Sequence, residues 1–298
     1  MFEGFEHKRI TTNGVEINLV QGGSGPPMLL LHGYPQTHVE WHKVAPVLAE
    51  KYTVVATDLR GYGDSAKPPC ADDDFTMFCK RTTGDDQVAV MAELGFDTFH
   101  LVGHDRGGRV AHRMARDYPA KVKTLTSVDV LPLTAAFENM DASLSYAWFH
   151  WHLMRQPAPF PETLIYNSTE TVFDFILDTW ATTPNAITPE ARAEYWRCFN
   201  DPETIRANCM DYRGVEHDLA HDSEDAGKKL TCPVLTIWGG NMPKRPGWLT
   251  GRSMDPLAMW ADYAEEVRGR SLECGHFLPE EAPEETAAEI LGFLEGRD

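Results

Sequence analysis

Phe99-His100-Leu101-Val102-Gly103-His104-Asp105-Arg106-Gly107-Gly108-Arg109 reads as an apolar strand that runs straight into a glycine-flanked polar residue and then into a helix. This is the form of a nucleophile elbow. Such a turn lifts one side chain above the carboxyl edge of a sheet, and small neighbours relieve the crowding it creates. The lifted residue is Asp105. A serine there would attack an acyl carbon, whereas a carboxylate displaces a group from carbon and leaves an enzyme-bound ester. Taken alone, an Asp in a glycine-rich turn is more often a helix N-cap. Its company decides otherwise.

Hydrolysis of such an ester needs a general base, a group to orient it, and donors for the oxyanion. Ser271-Leu272-Glu273-Cys274-Gly275-His276-Phe277 places His276 in the loop after the last expected strand, as the chain order nucleophile, acid, histidine requires. The usual acid position, after Val234–Trp238, reads Gly239-Gly240-Asn241 and holds no carboxylate. Asp129, closing the earlier strand Leu125–Asp129, is the better partner for His276. Oxyanion donors are expected from the backbone N–H of Arg106 and from the loop at Tyr34. Arg106 and Arg109 open the helix beside Asp105 at i, i+3, and two planar guanidiniums on one face suit a small carboxylate.

Outward from the elbow the chain alternates. Lys8–Thr12 and Val15–Val20 flank the hairpin signal Asn13-Gly14. Strands follow at Met28–Leu31, Tyr52–Leu59, Phe99–Gly103 and Val122–Val130. Helical spacing runs through His38–Lys51, Asp85–Leu94 and Arg106–Asp117. Strand–helix alternation implies an α/β fold with a mostly parallel sheet. From Leu131 to Asp225 the alternation stops, and a stretch rich in aromatics and broken by prolines reads as an inserted helical cap. The pattern resumes with Pro233–Trp238, a helix near Asp255–Tyr263, a strand Glu266–Glu273 and a helix Pro283–Leu294. The expected organisation is a core of residues 1–130 and 226–298 with a cap of residues 131–225.

The 298 residues carry 27 basic and 45 acidic side chains, a formal charge of −18. Such a surface repels nucleic acid and anionic lipid, so neither is an expected partner. No apolar run approaches a membrane span and no leader pattern opens the chain, which makes the cytoplasm the expected location. The 6 cysteines show no paired spacing and read as free thiols. Neither metal nor cofactor is expected: His150-Trp151-His152 diverges on a helix, and Gly61-Tyr62-Gly63-Asp64-Ser65-Ala66 follows too late a strand to be a dinucleotide loop.

His32-Gly33-Tyr34-Pro35-Gln36-Thr37-His38, Asp58-Leu59-Arg60-Gly61-Tyr62-Gly63-Asp64-Ser65 and Gly103–Arg109 together resemble the haloacetate dehalogenases of the α/β-hydrolase superfamily, fluoroacetate dehalogenases included. The likeness spans almost the whole chain. It implies an α/β-hydrolase core with a helical cap, Asp105 as nucleophile, His276 as base, Asp129 as its partner, and Arg106 and Arg109 on a substrate carboxylate. In the cap, His150-Trp151 and Asp211-Tyr212-Arg213 match positions where His150, Trp151 and Tyr212 would donate to a departing halide. Without the resemblance these three would read as core. Trp180 is expected in the same pocket. The implied reaction is cofactor-free hydrolysis of a small anionic organohalide, fluoroacetate foremost, by a homodimer. Two rivals stand beside it: an epoxide hydrolase sharing the Asp–His–Asp machinery, and a silent receptor on a hydrolase fold. The stretch Met242–Ser253 departs from the family pattern and leaves the entrance open.

Overall fold

A computed structural model describes residues 1–241 and 255–297, so the Met242–Ser253 departure lies outside the described residues. Eight strands, β1 (Glu6–Thr12), β2 (Val15–Gly23), β3 (Pro27–Leu31), β4 (Thr53–Thr57), β5 (Phe99–His104), β6 (Val122–Val128), β7 (Val234–Gly239) and β8 (Val267–Leu272), form one sheet. Its order is β1-β2-β4-β3-β5-β6-β7-β8. The hairpin β1–β2 turns at Asn13 and Gly14, both at positive φ, as a tight right-twisted turn demands. β2 pairs antiparallel with β4, and every later pairing is parallel. Strands covered on both faces should be apolar throughout, and all of β5 is buried.

Helices α1 (Ala45–Leu48), α2 (Lys80–Glu93) and α3 (Asp105–Asp117) cross between the early strands. The expected helix His38–Lys51 is instead a single tight turn at His38–Trp41 followed by α1. Pro46, which has no amide to donate, stands in the first turn of α1 and restarts the helix there. Between β6 and β7 the chain makes α4 (Leu133–Glu138), α5 (Ala142–Ala147), α6 (Phe149–Met154), α7 (Phe160–Tyr166), α8 (Thr169–Trp180), α9 (Pro189–Phe199), α10 (Pro202–Arg213) and α11 (Val215–Glu224). Helices α12 (Pro256–Ala261), α13 (Leu278–Glu281) and α14 (Pro283–Leu294) complete the chain. No helix among the described residues is long and apolar enough to cross a membrane.

Two features of this topology place the site. The neighbours of β3 are β4 and β5, so the chain order reverses there, and the loops leaving β3 and β5 splay apart at the carboxyl edge. One apolar core also runs from the sheet into the helical insertion, joining Leu31, Val102 and Phe277 to Trp151, Met154, Ile176 and Tyr212. The insertion is therefore packed onto the sheet edge.

Candidate active site

At the end of β5 the backbone bends sharply enough to hold Asp105 at φ +44°, a conformation that costs a residue with a Cβ about 1–3 kcal/mol. The glycines around it are required by close approach. A Cβ on Gly107 would sit 2.4 Å from the carbonyl oxygen of Leu31, and one on Gly103 would sit 2.5 Å from that of Gly107. The Gly107 N–H instead donates to the His32 carbonyl at 2.9 Å, tying α3 to the loop after β3. From that loop the Tyr34 N–H donates to Asp105 Oδ1 at 3.0 Å. Burial opposes a charge on Asp105. His276, His104, Arg106 and the Tyr34 N–H outweigh it and hold the carboxyl below its usual range. The Arg106 amide lies in the first turn of α3, where aligned peptide dipoles also favour an anion.

Asp129 follows β6 at φ +49°. Its Oδ1 accepts from the Gly239 N–H at 2.9 Å, and its Oδ2 lies 2.5 Å from His276 Nδ1. The glycine at the usual acid position thus supplies an amide to the carboxylate that replaces it. With Nδ1 donating to Asp129, Nε2 of His276 carries the lone pair, as a general base requires. The His276 N–H donates to the Trp180 carbonyl at 3.0 Å, which joins this loop to the end of α8.

His104, Glu40 and Asp211 take places that the sequence alone left without a role. His104 Nε2 donates to the His276 carbonyl at 2.9 Å, and Nδ1 lies 3.1 Å from Glu40 Oε2, which also accepts from the Gly33 N–H. Both ring nitrogens face acceptors, the arrangement of an imidazolium. Burial opposes that charge, but Glu40 lifts the His104 pKa to about 9. The pair lies among Gly33, Asp105 and His276, with the His104 and His276 rings 4.7 Å apart.

Sequence spacing treats Arg106 and Arg109 as equivalent, and the structure separates them. Arg106 donates through Nε to Asp211 Oδ2 at 2.7 Å and through Nη2 to the Asp211 carbonyl at 2.9 Å. Asp211 also holds the Lys80 ammonium and accepts from the Tyr62 hydroxyl at 2.9 Å. Against the cost of burial, Arg106 and Lys80 pull the Asp211 pKa down to about 2. Only Nη1 of Arg106 has no partner among the described residues. Arg109 donates to the Leu131 carbonyl at 3.3 Å, and its Nε has no partner. Burial, and then the charge of Arg106, lower the Arg109 pKa to about 10. Both guanidiniums lie 4.8 Å from the ring centre of Trp151, and Arg106 lies 4.1 Å from that of Tyr212.

The insertion brings the aromatics in from α6, α8 and α10. His150 stacks parallel to Tyr34 at 6.3 Å and lies 4.7 Å from Trp180, while Tyr212 packs edge-on against Trp151 at 5.0 Å. Burial, reinforced by His276, Arg106 and Arg109, lowers His150 to about 3 despite Asp105, so this imidazole is neutral at physiological pH. Burial raises the phenols of Tyr34 and Tyr212 well above their usual range, so both keep their protons.

These residues surround a cavity of about 870 Å³. Its lining includes Asp105, Asp129, His276, Arg109, His150, Trp151, Tyr34 and Trp180. Arg106 and Tyr212 pack against Trp151 and are not among the described lining residues. Buried polar atoms are normally paired, yet His276 Nε2, His150 Nδ1, Arg106 Nη1, Arg109 Nε and the Tyr34 and Tyr212 hydroxyls have no partner among the described residues. Elsewhere, Cys79, Asp218 and His221 offer ligand atoms within 4.8 Å of one another. Asp218 there already accepts from the Lys80 N–H at 2.7 Å, and none of the three lines the cavity.

A model of the alpha/beta hydrolase fold family matches residues 26–283. A fluoroacetate dehalogenase of Burkholderia sp is 42% identical, over 99% of this chain and 95% of that one. A soluble epoxide hydrolase of Corynebacterium sp. (strain C12) is 36% identical, over 97% and 96%. A crystal structure of an α/β-hydrolase candidate from Nostoc sp PCC 7120 superposes with a TM-score of 0.94 at 48% identity, over 99% and 100% of the two chains.

Proposed function

We infer that this chain, which belongs to the α/β-hydrolase family, is a hydrolase that cleaves the carbon–halogen bond of a small haloacetate, fluoroacetate foremost, to give glycolate and halide. The observation that carries the reading is that His276, His150, Arg109 and Tyr34, which line one cavity with Asp105, each hold a buried polar atom without a partner among the described residues, with Arg106 and Tyr212 packed behind them on Trp151. They divide by charge and chemistry into a clamp, a base and a group of donors.

With Asp105 Oδ1 held by the Tyr34 N–H, Oδ2 is the oxygen free to attack. Arg109, aided by Arg106 Nη1, holds the substrate carboxylate and turns the halogenated carbon toward Asp105. The new C–O bond forms as the C–X bond breaks, and the halide leaves with its electron pair toward His150, Trp151 and Tyr212. Fluoride is a poor leaving group, and strong hydrogen bonds to its developing charge lower the barrier most. Neutral His150 and protonated Tyr212 suit that task. Water activated by His276 Nε2 then attacks the ester at the Asp105 carbonyl carbon, with the Tyr34 N–H supporting the oxyanion. Asp129 steadies the imidazolium, which gives its proton to the departing glycolate oxygen, while the second water proton passes to solvent and Asp105 is regenerated as a carboxylate. In this reading residues 131–225 act as a cap over a core of residues 1–130 and 226–298.

A second reading is epoxide hydrolysis, favoured by the two buried tyrosine hydroxyls, which could protonate an epoxide oxygen, and by the Corynebacterium relative. It leaves Arg109 without a task. Fluoride release from fluoroacetate, measured beside diol formation from styrene oxide, separates the two. Single turnover in oxygen-18 water should label Asp105 first; label appearing at once in glycolate would reject the ester route.

A further inference from the structure

A haloacetate has five heavy atoms, and at a water's share of about 30 Å³ each it fills roughly 150 Å³. The cavity measures about 870 Å³, close to the upper end of drug-sized ligand pockets. On the insertion side the wall is largely apolar, with Leu144, Leu153, Met154, Ile165, Val172 and Ile176 lining it. Of these, Met154, Ile165 and Ile176 are buried to within 1% of full burial yet face the cavity instead of packing it closed. Close-packed interiors rarely leave apolar side chains facing such a volume, because the lining forfeits its contacts. Helix α8 shows how far the lobe reaches. Trp180, 5.2 Å from His276, begins one helix face that continues through Ile176 to Val172. Eight residues at 1.5 Å each carry that wall about 12 Å from the triad.

We propose that the substrate is a 2-halocarboxylate whose halogenated carbon bears a hydrocarbon chain or aryl group, and that this body occupies the apolar lobe between α5, α6, α7 and α8. The proposal rests on the dehalogenase reading and sharpens its substrate class. In an in-line displacement three groups splay around the attacked carbon. One is the carboxylate held by Arg109, one is hydrogen, and the third is free to enter the lobe. The bonds made and broken are those already described, and the product is the corresponding 2-hydroxy acid.

The test is halide release from chloroacetate, 2-chloropropionate, 2-chlorobutyrate, 2-chlorohexanoate and 2-chlorooctanoate, by wild type, Val172→Trp and Leu144→Trp. From 2-chloropropionate onward the reacting carbon is equally substituted, so kcat/KM reports the lobe. Each buried methylene should raise it about fourfold, amounting to roughly 10²–10³-fold across the series. Either tryptophan should flatten that rise and leave chloroacetate turnover unchanged. A flat or falling wild-type series with chloroacetate still turned over would overturn the lobe assignment and leave the dehalogenase reading standing. No halide release from any member would overturn both. The wild-type series decides even if a variant fails to fold.

Discussion

At the carboxyl edge of the sheet the ionisable groups answer one another. Asp105 takes the Tyr34 N–H, Asp129 takes the Gly239 N–H and His276, and His104 bridges Glu40 and the His276 carbonyl. On the insertion, His150 Nδ1 and the Tyr212 hydroxyl have no partner among the described residues. The edge has unpartnered atoms of its own, His276 Nε2, Arg106 Nη1 and Arg109 Nε, but on groups whose other atoms are already anchored by Asp129, Asp211 and the Leu131 carbonyl. Changes at the edge should therefore cost turnover whatever the substrate. Changes at His150 and Tyr212 should cost selectivity and little stability.

The sharpest way to break this contrast is Asp105→Asn. It keeps the shape of the elbow and removes the attacking anion, so halide release should fall at least ~10⁴-fold while circular dichroism and the thermal midpoint hold. A variant retaining a tenth of wild-type activity would dissolve the distinction between the two regions.

Glu40→Gln tests the edge more finely, through pH. A group whose native pKa, here about 9, exceeds its unfolded value of 6.5 stabilises fully below the lower figure and loses that contribution as pH climbs through the higher. Urea unfolding of the wild type should lose roughly 2–3 kcal/mol between pH 6.5 and 9.5 from this pair. The Gln variant should show a flatter profile over that window. Parallel profiles for the two proteins would place His104 outside any ion pair.

Tyr212→Phe carries the smallest effect and bears on the insertion. Removing a buried hydroxyl with no partner among the described residues should move stability by less than about 1 kcal/mol. Fluoride release should fall roughly 10–100-fold, and bromide release far less, because bromide needs little help to leave. Equal losses for both halides would make Tyr212 a packing residue.

Much of this was legible in the chain order. The elbow, the strand–helix alternation and the sequence of Asp105, Asp129 and His276 are written in local periodicity and turn chemistry, which depend on residues a few positions apart. The helix expected over His38–Lys51 failed on equally local grounds, because Pro46 restarts it. Three things had no such signal. Arg106 and Arg109 look alike at i, i+3 until Asp211, 105 positions away, claims one of them. His104 looks like part of a strand until Glu40, 64 positions away, meets it. Tyr212 reads as a core aromatic until its hydroxyl is found without a partner.

The sequence by itself determined the α/β architecture, the carboxylate at the sheet's crest and the order in which its helpers arrive, since strand period, glycine placement and chain order are one-dimensional quantities. Only the tertiary structure decided which arginine faces the cavity, what sustains the charges beside Asp105 and how much apolar room lies beyond it. Those properties are set by distances between side chains remote in sequence and by the volume their packing leaves, and neither is a sum of local preferences.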